Sequence, residues 1–126
     1  MPTTYEISSE FKVVFTKAWG TLTDSDILKC QRQLSEDPLF APDMNQIFDF
    51  QDVEKVELTS AGIRNLASRN PFGAGAKRAF VVRPGAMAMF GLMRMFQILT
   101  DQHPDKLRVQ FDDMKEARSW LGLPEK

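Results

Sequence analysis

The sequence predicts an α/β domain: one five-stranded mixed sheet in the order ββαβαβαβα, with an antiparallel first hairpin, then parallel strands with helices. Three observations predict it. Two strand-like runs, residues 5–9 and 12–19, are separated by only a few residues, so they pair as an antiparallel hairpin. After Gly20, helix-like and strand-like runs alternate, which implies parallel pairing through right-handed crossovers. Ile47-Phe48-Asp49-Phe50 is nearly continuous in apolar character, as expected of a central strand buried on both faces.

Length and composition bound the rest. A chain of 126 residues fits a single domain, residues 1–126, with a sizeable core. A net charge of −1 gives no electrostatic drive toward nucleic acid or an anionic membrane. The single cysteine, Cys30, excludes an intramolecular disulfide and a cysteine-based zinc cluster. With no disulfide and no signal-peptide pattern, the expected location is the cytoplasm. The longest apolar stretch, residues 86–99, contains Arg94 and Gln97. It falls short of the ~20 residues that span a bilayer.

Each element has a local reason. In the second strand, Val13, Phe15, Ala18 and Trp19 are interrupted by Lys12, Thr16 and Lys17, which indicates one wet face and a position at or near an edge. Gly20 is expected to end it. The first helix starts at Thr23, a capping residue, with Asp24 and Asp26 in the positive first turn and Leu22 and Ile27 placed as a hydrophobic staple. Ile27, Leu28, Gln31 and Leu34 continue its apolar spacing, and Asp37-Pro38 closes it. Cys30 reads as a small core residue. After the third strand, residues 51–57 are expected to cross to the second helix. That helix repeats the pattern of the first, with Leu58 before the cap, Thr59 at the cap and Ile63 at the staple position.

The fourth strand is Ala79-Phe80-Val81-Val82, reached through the flexible Gly73-Ala74-Gly75-Ala76 and Lys77-Arg78. That glycine-rich turn is no phosphate loop: its spacing is wrong, no Ser or Thr follows the Lys, and a strand follows it. Pro84-Gly85 turns the chain into a third helix over residues 86–101, which His103-Pro104 breaks. Residues 107–111 alternate as a fifth strand. Asp113 and Glu116 form a capping-box pair for the last helix, whose inner face is Met114, Ala117, Trp120 and Leu121 before Gly122 and Pro124.

The third helix carries the strongest functional signal. On a helical wheel, Ala88, Met89, Leu92, Met95, Phe96 and Leu99 make one stripe, expected to pack on the sheet. Met87, Phe90, Gly91, Arg94 and Ile98 make a second on the far side. Apolar character nearly all round means burial beyond a single face. The second stripe is therefore a dimer face, a partner groove, a lipid-pocket wall or a surface covered within the monomer. Self-association is the favoured functional option, since symmetric homo-oligomers are common.

Gly20-Thr21-Leu22-Thr23, Asp37-Pro38 with Phe40, Ile47-Phe48-Asp49, Thr59-Ser60-Ala61-Gly62-Ile63 and Ala117-Arg118-Ser119-Trp120-Leu121 together resemble the STAS domains of anti-sigma-factor antagonists. More closely, the chain looks like the small bacterial SpoIIAA-like group, related in architecture to the STAS and SEC14-like (CRAL-TRIO) proteins. The resemblance covers nearly the whole chain and implies a small non-enzymatic domain for protein partners or hydrophobic ligands. In the antagonists an Asp-Ser-Ser-Gly-type turn carries a phosphorylated serine. Aligned through Gly62, Ser60 takes that serine's place, Thr59 the place of the Asp, and Ala61 that of the second serine.

These readings give three functional expectations. The first is a non-catalytic, self-associating interaction module using Met87, Phe90, Arg94 and Ile98, with Ser60 and Thr59 as candidate switch positions. The second is a CRAL-TRIO-like binder of a lipid or other apolar small molecule, in a closed cavity lined by Phe80, Met89, Met93 and Phe96. The third, an enzyme using Asp49 or Asp52, needs a pocket that joins these acids to Arg64 or His103. No histidine or third acid is spaced to complete such a set, and Asp49 is expected to cap or to pair with Arg78 or Arg64. Ser60 has no visible triad partners and no Gly-x-Ser-x-Gly elbow. No catalytic residue, metal ligand or cofactor is expected.

Overall fold

The computed structural model describes residues 2–100, 106–111 and 113–124. Its elements are β1 (Thr3–Ser8), β2 (Val13–Thr23), α1 (Asp24–Ser35), β3 (Asn45–Glu57), α2 (Ser60–Ser68), β4 (Arg78–Val82), α3 (Met87–Leu99), β5 (Leu107–Phe111) and α4 (Met114–Trp120). The α/β class and the mixed sheet, antiparallel and then parallel, agree with the sequence expectation. β1 pairs antiparallel with β2, and β3 runs parallel to β2 and to β4. β5 lies parallel along the outer side of β4.

Side chains alternate across this sheet and divide the core. Ala18, Phe48, Phe50, Phe80 and Val82 face α1, α2 and α3, whose Ile27, Ile63, Leu66, Met89, Met93 and Phe96 complete the main cluster. Phe48 stacks on Phe50 with ring centroids 4.1 Å apart, and Phe80 meets both edge-on at 6.1 Å. Val13, Ile47, Ala79 and Val81 face the other way and are covered by Ala117 of α4 and by Leu123. The staple pairs expected at the first two helices contribute Leu22 and Ile63, both fully buried.

Two strands are longer than expected. β2 does not stop at Gly20 but continues to Thr23, and residues 51–57 continue β3 instead of crossing to α2. The two extensions pair with each other from Trp19 opposite Asp52 to Thr23 opposite Glu57. Register shifts flank Gly20, whose φ of 64° is a left-handed conformation open to glycine at little cost. The extension was hidden because β4 no longer flanks β3 there, so its outward positions are charged and read like a loop. Its one buried residue is Val53.

Parallel pairing ends β2 and β3 side by side, so α1 and α2 start side by side too. Thr23 caps α1 in a full capping box with Asp26, and Thr59 caps α2 by accepting from the Gly62 N–H. α3 has no side-chain cap, and its inner face differs from the expected stripe. Met89, Met93, Phe96 and Gln97 are buried, while Ala88 and Leu99 are exposed. Gln97 turns inward because its amide donates to the Leu107 carbonyl at 3.0 Å, which rotates the helix toward β5. The Asp101 end of this helix and the His103-Pro104 break lie outside the described residues. No helix among those described is long and apolar enough to cross a membrane.

Candidate functional site

The adjacent helix starts form the first candidate region. Open α/β sheets place ligands beyond the carboxyl ends of their strands, and helix N-termini there favour anions. Thr59 and Ser60 are both exposed at this edge. The Asp24 carboxylate, from the first turn of α1, accepts from the Thr59 N–H at 2.9 Å and from its hydroxyl at 2.6 Å. A Cβ built on Gly62 would overlap that carboxylate. The anionic position at the start of α2 is therefore filled from within the chain. The sequence reading placed Asp24 only in its own helix, and its reach to α2 follows from strand pairing thirty-odd residues away.

The second region is the outer face of α3. Met87 is 66 % exposed, Ile98 71 % and Leu99 44 %. Gly91 and Arg94 are exposed between them. Phe90, expected on this face, is partly buried and packs against the main core. The expected patch is thus narrower at Phe90 and gains Leu99.

The third region is a cavity of about 40 Å³ beneath α1, α2 and α3. Of the residues named for an apolar pocket, Phe80, Met93 and Phe96 line it, whereas Met89 is buried but does not. Its unforeseen member is Arg78, at 4 % exposure. The Nε–H of Arg78 donates to Gln46 Oε1 at 3.0 Å, and Nη1 donates to Asn70 Oδ1 at 3.0 Å. Its guanidinium lies over the rings of Phe72, Phe96 and Phe80 at 4.1, 5.1 and 5.2 Å. Burial pushes this group far below the ordinary guanidinium range, to about 9. Cys30 also lines the cavity, and burial pushes its thiol up, away from thiolate reactivity. A signal for Arg78 exists in the sequence: it is in phase with Phe80 and Val82 on an otherwise apolar strand.

The acids do not form a constellation. Asp49 lies on the α4 side of the sheet, in a broad open trough with Lys17 and Arg118, and accepts from the Gln51 N–H at 2.9 Å. It pairs with neither Arg78 nor Arg64, which belong to the opposite side. Asp52 pairs instead with Lys17 at 2.8 Å, and this partner holds its carboxyl below the usual range. His103 lies outside the described residues. Among the described residues no cluster of three or more His, Cys, Asp or Glu could hold a metal ion. The chain matches no protein-family model, and a comparison with curated proteins gives no match either.

Proposed function

We propose that the chain is a non-catalytic regulatory or protein-interaction module of the STAS and SpoIIAA-like type, acting in the cytoplasm, which pairs with a second copy of itself through the outer face of α3. The observation that carries this reading is the exposure of Met87 and Ile98 on a helix whose inner face is already filled. Apolar side chains clustered on an outer face favour a partner. A two-fold axis across this face would set Met87 of one copy against Ile98 of the other, and Gly91 against Arg94. Nothing lies within 4 Å of a Cβ built on Gly91, so the glycine leaves room for the arginine stem.

The switch reading of Ser60 has weaker support. A phosphate there would gain the helix end but share it with the Asp24 carboxylate, which already holds Thr59. The lipid-binder reading is limited by size, since a cavity of about 40 Å³ is far below the ~300 Å³ of a drug-sized site.

Native mass spectrometry and light scattering on the wild type and Ile98→Asp test the pairing. The wild type is expected to be a dimer at micromolar concentration. Burial of an Ile side chain is worth ~1.5–3 kcal/mol, and each variant interface loses two. Dissociation should therefore strengthen by at least about 100-fold, with unchanged circular dichroism. A monomeric wild type, or a dimer that survives the substitution, would overturn the reading.

A further inference from the structure

We propose that the cavity beside Arg78 is a binding site for a small monocarboxylate, held by the guanidinium at its anionic end and by apolar walls along a short tail. This inference is independent of pairing through α3.

Charge balance makes the first part of the case. Arg78 is buried, yet among the described residues its hydrogen-bond partners are two neutral amides, and no ion pair joins it to a carboxylate. The three phenylalanine faces soften the burial of the cation but carry no net charge. A buried cation without a counter-charge is costly, and an anion entering beside it recovers part of that cost. A guanidinium carries five N–H donors, of which these contacts engage two.

The walls make the second part. Thr16 is buried and lines the same cavity. Its oxygen accepts from Gln46 Nε2 at 3.1 Å, which leaves the hydroxyl proton for another acceptor. Gln46 thus joins Arg78 and Thr16 into one donor set. The rest of the lining is mostly aliphatic and aromatic, including Ile27, Leu66 and Met93, joined by Cys30 and by Gln31, whose amide donates to the Leu66 carbonyl at 3.0 Å. One planar cation, one hydroxyl and apolar walls match a carboxylate with a short alkyl tail. A phosphate would need more donors than this, and a halide would leave the apolar walls unused. A volume of about 40 Å³, a few times the ~10–15 Å³ that one water needs on the same measure, restricts the occupant to a carboxylate of two or three carbons.

The test is an NMR titration of the ¹⁵N-labelled protein with acetate, propionate, butyrate and octanoate. Ionic strength is held constant with a bulky sulfonate. The expected result is saturable shifts of the Arg78 Nε–H and of the Thr16 and Phe80 amides with the short acids, in the millimolar range. Arg78→Met should weaken binding at least tenfold. Thr16→Val, a smaller perturbation that serves if Arg78→Met fails to fold, should weaken it as well. The absence of saturable shifts with the short acids would overturn the proposal, as would equal binding by folded Arg78→Met. Preference for octanoate would overturn the assigned size.

Discussion

Arg78→Met should leave stability unchanged or raise it by up to about 1 kcal/mol, although it removes a buried side chain and two hydrogen bonds. Burial moves this guanidinium down to about 9, more than three pH units below its ordinary range. At ~1.4 kcal/mol per pH unit, the buried charge costs on the order of 5 kcal/mol at neutral pH. Against this stand the bonds to Gln46 and Asn70, ~1 kcal/mol each, and the ring contacts, roughly 1–2 kcal/mol together. Methionine keeps most of the stem and removes the charge. It also leaves Gln46 Oε1 without its donor, which costs ~1 kcal/mol or more.

The pH dependence has a definite sign. Arg78 is charged in both folded and unfolded chains below pH 9, so the penalty is complete at pH 7. It shrinks as pH rises above about 9, where the folded guanidinium begins to lose its proton while the unfolded chain still holds it. Any advantage of Arg78→Met should therefore be largest near neutrality. Urea unfolding in carboxylate-free buffer at pH 7, with unchanged m-values, measures it. A loss of more than about 2 kcal/mol would refute the reasoning, because it would mean that the fold already compensates the cation.

Two other predictions rest on separate contacts. Tyr5 is the single tyrosine, and burial together with the bond it donates to Asp37 at 2.8 Å holds its phenol up at about 12. Absorbance titration should find that midpoint in the native protein and one near 10.0 in denaturant, and the stability advantage over Tyr5→Phe should be complete below pH 10 and vanish as pH rises toward 12. Gly62→Ala should stabilise an Asp24→Ala background by ~1 kcal/mol through helix propensity. In the wild type that gain should be cancelled, because the new Cβ displaces the Asp24 carboxylate from Thr59. Equal effects in both backgrounds, measured by urea unfolding, would mean that the Asp24 link carries no energy.

Much of the architecture was legible because its signals are local. Thr23 and Thr59 announce their helices by capping chemistry, and both caps form. Ile63, Leu66 and Phe96 lie on buried faces that their spacing marks. The misreadings share a cause, which is that they depend on neighbours distant in the chain. Residues 51–57 look like a crossover until β2 is laid beside them. Phe90 and Leu99 exchange exposure because Gln97 finds the Leu107 carbonyl and turns the helix.

The candidate sites divide along the same line. By itself the sequence determined the α/β class, the antiparallel start of the sheet, the helix caps and an apolar excess on α3, because periodicity and capping act within a few residues. Only the tertiary structure decided that Asp24 fills the start of α2 and that Asp49 and Asp52 look away from Arg64. It also set Arg78 in a cage of rings among neutral amides. Those arrangements follow from parallel pairing, which brings β2, β3 and β4 side by side and joins residues that no local pattern connects.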